Sequence, residues 1–282
     1  MGKSLHKDIL TVFKSASMVT PQGNHLRRLT VLTSMVCSCM RTKSSSLEGL
    51  SSEKAGLAKQ SESRVKQSGR WLSSKWTDWE TFFAPFARQM LASLGLKGEL
   101  ILVVDGSQTG SQNTSLMVSV LFKGYAIPLA WLTKKGEKGH FPEQMHLDLA
   151  ALVHHLLPGG CRVVFLGDGE FDGLKLRTAC KNYGWEFVLR TSTDRKVDCG
   201  GELAQLKSLC PQAGEEIVFL EDACDGDNAI SWLGKGHKDP ILLLTNMDLG
   251  AMACDYYRRR FKIETLFQVP QIRRLQIGQV QG

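Results

Sequence analysis

The chain has 282 residues, of which 43% are hydrophobic and 22% are charged, and it carries a formal net charge of +7. This composition is that of a globular protein long enough to bury a large core in one or two domains, which excludes fibrous and wholly disordered classes. No apolar stretch reaches transmembrane length and the start lacks a secretory apolar region, so we expect a cytoplasmic protein.

The positive charge is concentrated in the first third of the chain. Residues 1–98 hold 15 Lys and Arg against 6 Asp and Glu, a net charge of +9, whereas residues 99–282 hold 20 against 22, a net charge of −2. A basic module ahead of a near-neutral one predicts a polyanionic partner, most simply nucleic acid. A solvated basic face is the alternative interpretation.

Residues 1–95 predict helices. Over residues 24–43, apolar side chains recur at steps of three or four residues, which is typical of an amphipathic helix. Two Ser/Thr-x-x-Glu motifs, typical of capping boxes, begin at Ser45 and Thr77, and the second precedes an apolar helix that Pro85 would bend. We therefore predict an all-helical, basic, DNA-binding domain over residues 1–95.

From residue 96 to 192 the pattern changes to alternating strands and helices. Apolar runs typical of buried strands begin at Glu99 and Cys161, and two further strand patterns flank Lys123-Gly124, which is a hairpin turn signal. Helical patterns lie between the later strands. This alternation predicts the first part of an α/β core.

Residues 193–247 break the alternation. They are acidic, contain three short strand candidates and predict a small β-rich insertion, in which Asp225-x-Asp227 is typical of a turn. The helical pattern then returns and predicts the last helix of the core over residues 248–267. Residues 268–282 form an atypical tail without that periodicity.

Two acids stand at the ends of apolar runs. Asp105 and Asp168 each follow such a run and precede a glycine. If they share one edge of a sheet, their charges repel and raise the pKa of at least one of them unless a cation lies between them. Because Mg²⁺ prefers carboxylate and water ligands, the pair predicts part of a metal site. An ordinary Asp-Gly turn is the alternative interpretation.

A third acid lies on the predicted last helix. Tyr257, Arg260 and Glu264 are spaced i, i+3 and i+7, so they share one helix face. Glu264 can therefore point toward the strand-end acids, while Arg260 suits a phosphate, which a guanidinium binds bidentately. A surface helix with Arg–Glu pairs one turn apart is the alternative.

Together these residues resemble a known family. Tyr257-x-x-Arg260-x-x-x-Glu264 is similar to the Y-x-x-R-x-x-x-E signature of the insertion sequence four family of bacterial DDE transposases. VVDGS and FLGDGEFDG resemble the two Asp motifs of that family. The resemblance is strongest over residues 100–190 and 254–267.

The resemblance implies an α/β, ribonuclease-H-like catalytic core over residues 96–192 and 248–267. It implies that Asp105, Asp168 and Glu264 are catalytic and hold two Mg²⁺ or Mn²⁺ ions. The reaction would be cleavage at the inverted repeats of the element and joining of the freed 3′-hydroxyl to target DNA. The partners would be double-stranded DNA and, on DNA, a second copy of the chain, in the cytoplasm of a bacterium and at its nucleoid.

The resemblance also implies particular DNA contacts. Tyr257 and Arg260 would bind phosphate near the scissile end, and a Trp in the insertion can stack on a flipped base. Trp232 is the only Trp between residues 193 and 247. For Trp232, the alternative interpretation of a core side chain is the one that we favour.

The chain departs from the family after Phe267. Gln271 stands where the family has Lys, Pro270 would end the helix, and family members continue well past Gly282. We therefore expect a truncated or frameshifted copy. Two alternatives stay open: a degenerate copy that binds transposon ends without cutting them, and a structure-specific metal nuclease without strand transfer.

Overall fold

The computed structural model describes residues 2–54, 57–96, 98–109, 112–136, 140–211, 216–234 and 238–261. The chain folds into two compact units, and the boundary between them follows Ser93. We call the described residues up to Ser93 the helical unit and those from Leu94 onward the sheet unit. None of the helices within these ranges is both long enough and apolar enough to cross a membrane.

The helical unit is built from α-helices, the last of which runs two residues past Ser93. In chain order they are α1 (Gly2–Ala16), α2 (Gly23–Thr42), α3 (Leu47–Leu50), α4 (Ser61–Leu72), α5 (Trp79–Phe82) and α6 (Ala84–Gly95). The amphipathic helix predicted over residues 24–43 is confirmed as α2, whose buried side chains include Leu29 and Met35. This helix packs against α1, α3 and α4, so it forms the centre of the unit.

Both predicted capping boxes are wrong by one residue. Ser46 rather than Ser45 caps α3, and its side chain accepts a backbone N–H three residues later at 3.1 Å. Asp78 rather than Thr77 caps α5 in the same way, at 2.7 Å, while Thr77 donates to the carbonyl of Trp71. Ser, Asp and Thr are all good N-caps, so local sequence does not distinguish adjacent candidates.

The apolar helix that Pro85 was predicted to bend is split into α5 and α6. Phe83, between the two helices, has φ of −128° and ψ of −49° and leaves the helical range. Pro85 is the second residue of α6, a first-turn position at which the missing N–H breaks no intrahelical hydrogen bond. The predicted bend at Pro85 is therefore wrong in position and kind, because the helix breaks at Phe83, two residues earlier.

The sheet unit combines strands and helices, which confirms the α/β class. Its strands are β1 (Glu99–Gln108), β2 (Asn113–Phe122), β3 (Tyr125–Lys135), β4 (Arg162–Gly167), β5 (Glu186–Arg190), β6 (Lys196–Asp198), β7 (Leu203–Gln205), β8 (Ile217–Cys224), β9 (Asp227–Trp232) and β10 (Ile241–Thr245). Its further helices are α7 (Glu143–His154), α8 (Leu174–Asn182) and α9 (Gly250–Arg260).

Eight strands form one mixed sheet in the order β3-β2-β1-β4-β5-β10-β9-β8. β4 runs parallel to both β1 and β5, and the other neighbouring strands are antiparallel. The predicted Lys123-Gly124 turn joins β2 to β3. Its two residues have positive φ values of 48° and 83°, as a two-residue type I′ hairpin turn requires.

The strands predicted as a separate insertion over residues 193–247 mostly extend this sheet. β10 pairs with β5, and β9 and β8 follow outward, while β6 and β7 form a small ribbon of their own. Pairing with β10 satisfies the backbone groups on the outer side of β5, which would otherwise be an open edge. A local core nevertheless joins the ribbon to the outer strands and includes Val197, Leu206 and Leu244.

The helices cover the sheet and fix α9 in place. α7 packs against β2, β3 and α8, whereas α9 packs against β4, β5 and β8. After Arg162, every residue of β4 is buried, as expected for a strand covered on both faces. Tyr256 of α9 donates a hydrogen bond to Glu99, and Arg162 donates to the same tyrosine oxygen at 3.1 Å.

Candidate active site

Two acids come level at the carboxyl edge of adjacent parallel strands. The last paired residues of β1 and β4 are Val103 and Leu166. Asp105 and Asp168 each lie two residues further along the chain, Asp105 still within β1 and Asp168 directly after β4, so the register places them level with each other. Both acids are half-buried. The strand register therefore brings the two carboxylates to one edge of the sheet.

β1 continues past Asp105, contrary to the expectation that the strand ends there. Asp105 is paired with Met117 of β2, and this antiparallel ladder extends to Gln108. Pairing with β4 stops first, because β4 itself ends at Gly167. Asp105 therefore projects from a paired strand rather than from a turn, and its Oδ1 accepts the N–H of Gly106 at 2.9 Å.

Asp168, in contrast, begins a turn. Its Oδ1 accepts the N–H of Glu170 at 3.1 Å, and its carbonyl oxygen accepts the N–H of Phe171 at 3.1 Å. This pattern is an Asx-type turn, the alternative that the Asp-Gly sequence left open. The turn also orients the carboxylate, so the structural interpretation and a functional one are compatible at this residue.

Phe141 lies against the acid edge because Gly106 has no side chain. A Cβ added to Gly106 would be 2.6 Å from Cε2 of the buried Phe141 ring. The backbone N–H of Phe141 donates to Glu170, and Lys134 Nζ lies 4.6 Å from the centroid of the Phe141 ring. Because successive strand residues point to opposite faces, Phe141 packs on the face of β1 opposite to the side chain of Asp105.

His146 is buried next to Glu170. Its Nε2 is 4.0 Å from Glu170 Oε1, and its ring centroid is 4.9 Å from that of Phe171. Burial lowers the pKa of His146, while the charges of Glu143 and Asp168 act in the opposite direction. The sequence did not single out His146. It placed Glu170, the second acid in FLGDGEFDG, near the site but favoured an acid at a helix start, whereas Glu170 lies in the turn before α8.

β5 adds a cation to the same edge. Gly167 pairs with Leu189, so the next residue of β5, Arg190, comes level with Asp168. Arg190 is exposed. The sequence predicted the β5 strand but not its neighbours, and so Arg190 was not recognised as a site residue.

Tyr257 and Arg260 lie within electrostatic reach of this edge. Burial raises the pKa of Tyr257, the charges of Arg260 and Arg190 lower it, and the charge of Asp168 raises it. Tyr257 is 1% exposed and Arg260 9%, with Arg260 Cζ 5.6 Å from the centroid of the tyrosine ring. In this conformation the two side chains pack on each other, and their contact with DNA phosphate stays a prediction.

Glu264 lies outside the described residues, which end at Phe261, as do Pro270, Gln271 and the predicted tail. Among the residues that are described, no group of three or more His, Cys, Asp or Glu side chains is close enough to share a metal ion. The strand register therefore places two of the three predicted acids at one edge of the sheet, and the complete metal site stays a prediction.

Trp232 is buried at the end of β9, with 1% of its surface exposed. It pairs with Ile217 on one side and Ile241 on the other, and Arg258 Cζ lies 4.8 Å from the centroid of its ring. Stacking on a flipped base would require an exposed ring face. The structure therefore favours the core interpretation of this side chain.

The chain was compared with family models, curated proteins and solved structures. Neither a protein-family model nor a curated protein matches the chain. Among solved structures, it is similar to a piggyBac transposase in a synaptic complex with hairpin DNA, at a TM-score of 0.49 and 12% identity over 94% of this chain and 65% of that one. The chain thus spans about 65% of the length of that transposase.

Two nucleases show weaker similarity. Endonuclease V of Ciona intestinalis, bound to inosine-containing DNA, has a TM-score of 0.32 and 14% identity, over 59% of this chain and 81% of that one. The NurA nuclease of Sulfolobus solfataricus has a TM-score of 0.35 and 10% identity, over 71% of this chain and 89% of that one.

Proposed function

We propose that the chain is a DNA transposase of the insertion sequence four family, which cleaves DNA at the inverted repeats of its element and joins the ends to target DNA. The observation that carries this proposal is the level placement of Asp105 and Asp168 on adjacent parallel strands. These are the two acids that the motif resemblance selects. The strand order β3-β2-β1-β4-β5, in which three antiparallel strands are followed by parallel neighbours, supports a ribonuclease-H-like core.

Asp105, Asp168 and Glu264 would hold two Mg²⁺ or Mn²⁺ ions. The donors that are described fit such ions, because both are half-buried carboxylates at the same edge of two adjacent strands and these metals prefer oxygen ligands. When bound, the ions would supply an activated oxygen nucleophile and stabilise the leaving oxygen of a phosphodiester.

The remaining residues of the edge would hold the DNA strand. Arg190, exposed beside Asp168, can bind a phosphate bidentately. Arg260 would contribute a second guanidinium once it leaves the ring of Tyr257, which now covers it. Phe141 would help to fix β1 at this edge, since its buried ring lies directly against Gly106.

The helical unit would bind duplex DNA, because it carries the positive charge that the sheet unit lacks. Two copies would assemble on paired transposon ends in the bacterial cytoplasm. Duplex DNA containing the inverted repeats that flank the coding sequence would be the substrate.

Nicking of this duplex in the presence of Mg²⁺ tests the proposal. We expect Asp105→Asn, Asp168→Asn and Glu264→Gln to lower the nicking rate by about 100-fold or more each, because each removes one charged ligand. Asp148→Asn is the matched control, since Asp148 is an exposed acid on α7 and its replacement should leave the rate unchanged.

Three other results would change the proposal, each in a different way. If the wild-type chain bound the duplex but did not nick it, the chain would be a copy that binds transposon ends without cutting them. Nicking without joining of a pre-cut 3′-hydroxyl end to plasmid DNA would replace it by a metal nuclease. Nicking that survives all three acid substitutions would show that the catalytic site lies elsewhere.

A further inference from the structure

A basic groove crosses the helical unit between the start of α2 and the end of α4. It has a volume of about 400 Å³. Arg27 and Arg28 of α2 and Arg70 of α4 line it, together with Asn24, Gln67 and Trp71. Arg27 and Arg70 are exposed and Arg28 is half-buried, so three guanidinium groups reach one concave surface.

The walls of this basic groove are held by buried contacts. Trp71 donates from Nε1 to the carbonyl of Arg28 at 3.0 Å, which ties α4 to the start of α2. The ring of Trp71 also packs edge-on against Phe82, with centroids 5.6 Å apart. The two arginine-bearing helices are therefore fixed relative to each other along the groove.

Contacts within the chain also hold Ala58, which lines the basic groove just before α4. Gln67 Oε1 accepts the N–H of Ala58, a lining residue, at 3.0 Å. Arg64, which is only 7% exposed, donates to the carbonyls of Ser51 and Lys59 at 2.9 and 2.7 Å. Because these contacts exist within the chain itself, a ligand would meet a preorganised surface.

The charge of the basic groove is uncompensated. Its lining contains no Asp or Glu, and among the described residues none of the three guanidinium groups makes a salt bridge. Elsewhere in the helical unit, Arg41 pairs with Glu53. Three like charges on one concave surface repel each other unless an anion joins them, and guanidinium groups match phosphate geometry.

We propose that this basic groove binds the phosphodiester backbone of duplex DNA through Arg27, Arg28 and Arg70. The choice of DNA rests on the proposed function, whereas the location of the contact rests on the groove alone. Trp76 is 60% exposed, and the centroid of its ring lies 6.0 Å from Arg28 Cζ, so this side chain lies next to the basic groove.

The test is the affinity of the full chain for a fluorescent 30-base-pair duplex, measured by anisotropy in EDTA over a series of salt concentrations. The variant carries Arg27→Gln, Arg28→Gln and Arg70→Gln together. We expect its affinity near about 0.1 M salt to fall at least about tenfold. The slope of log K against log salt should become shallower by about 0.9 for each phosphate that the variant no longer binds, or about 2 to 3 in total.

The matched control removes the same number of charges from the same unit outside the groove, as Lys7→Gln, Lys14→Gln and Lys43→Gln. For this lysine control, the slope of log K against log salt should stay within about 1 of the wild-type slope. The conservative triple Arg→Lys variant of the groove should also keep the slope, because it retains the charges. Circular dichroism establishes that each variant is folded.

Equal decreases in affinity for the groove variant and the lysine control would overturn the proposal, because they would show a diffuse charge effect. The same measurement is made with single-stranded DNA and with RNA. If the groove variant bound one of these more weakly than the wild type but bound the duplex equally well, the proposal would be overturned in favour of that ligand. Since the assay contains no metal and requires no cleavage, its outcome is separate from that of the nicking experiment.

Discussion

Gly167, the residue before Asp168, lies where three side chains converge. Each of them has an atom within 3.0 Å of the position that a Cβ would take. They are Val104, Phe171 and Leu189. Gly169, two residues later, is exposed, and the nearest atom to its added Cβ would be the carbonyl oxygen of Arg190 at 4.0 Å. Both glycines of GDG flank Asp168, and the sequence alone does not distinguish them. Of the two, only Gly167 has surroundings that leave no room for a Cβ.

Alanine substitutions at these two glycines should therefore behave differently. We expect Gly167→Ala to lower the free energy of unfolding by about 1–3 kcal/mol, because the new methyl overpacks a closed site. Gly169→Ala should change it by less than about 1 kcal/mol and can stabilise by restricting the unfolded chain. Urea denaturation of both variants checks this, and equal urea midpoints would show that Gly167 can accommodate a side chain.

The three consecutive arginines of α9 are also explained residue by residue. Each guanidinium Cζ lies over an aromatic ring: Arg258 over Trp232 at 4.8 Å, Arg259 over Tyr256 at 5.0 Å and Arg260 over Tyr257 at 5.6 Å. Such cation–π contacts pack the side-chain stems as well as the charges. The contact of Arg258 with Trp232 joins α9 to the sheet, whereas those of Arg259 and Arg260 lie within α9 itself. Arg258 and Arg259 stay 51% and 52% exposed, and Arg260 alone of the three is buried.

Between elements, a buried ion pair joins α8 to the outer strands. Arg177 of α8 and Asp227 of β9 are each 1% exposed and hydrogen-bonded to each other. Asp225 accepts from the same guanidinium at 2.8 Å, and Lys181 Nζ lies 2.5 Å from Asp227 Oδ1. The turn predicted at Asp225-x-Asp227 is confirmed by positive φ at Asp225 and Gly226, and its acids also hold α8.

Removing one charge of this buried pair should be costly. We expect Asp227→Asn to lower the free energy of unfolding by about 3 kcal/mol, because Arg177 would stay buried with less compensation. Arg177→Met combined with Asp227→Leu should cost clearly less than the sum of the two single changes, since no unpaired charge is left.

An exposed ion pair on α9 provides the control for Asp227→Asn. Arg258 and Asp255 are 51% and 62% exposed and 2.6 Å apart. Asp255→Asn should change the free energy of unfolding by less than about 1 kcal/mol, because solvent screens this pair. Similar urea midpoints for Asp227→Asn and Asp255→Asn would contradict the role assigned to burial.

Over the whole molecule, buried thiols make stability sensitive to alkaline pH. Burial is the main cause that raises the pKa of Cys180 and Cys254 from an ordinary 9.0 to about 12. Above about pH 9, the unfolded chain loses these protons while the folded chain retains them. The free energy of unfolding is therefore unaffected by these thiols below pH 9. It decreases as the pH rises toward 12, by up to about 1.4 kcal/mol per pH unit for each thiol.

Thermal unfolding between pH 7 and pH 11 checks this expectation. The wild-type Tm should fall above pH 9, and the fall should be shallower in Cys180→Ala and Cys254→Ala, even though each variant has a somewhat lower Tm at neutral pH. Cys210→Ala should follow the wild-type curve, because Cys210 is exposed. A wild-type fall that is equally steep in all three variants would assign the pH dependence to other groups.

Sequence patterns predicted most of the elements of this chain but few of their partners. The α2 stripe, the Lys123-Gly124 turn and the apolar runs around β1 and β4 are signals contained within a few residues, so they can be recognised locally. The caps were displaced by one residue because neighbouring Ser, Thr and Asp compete for the same role.

The candidate site shows the same division. By itself, the sequence determined that an acid follows each of two apolar runs and that Tyr257 and Arg260 share a face of the last helix, because both depend on residue type and short-range spacing. The tertiary structure decided that Asp105 and Asp168 come level, that Arg190 joins them, that β8, β9 and β10 extend the sheet, and that Trp232 is buried. These outcomes depend on strand register and on packing between residues far apart in the chain, which no local pattern contains.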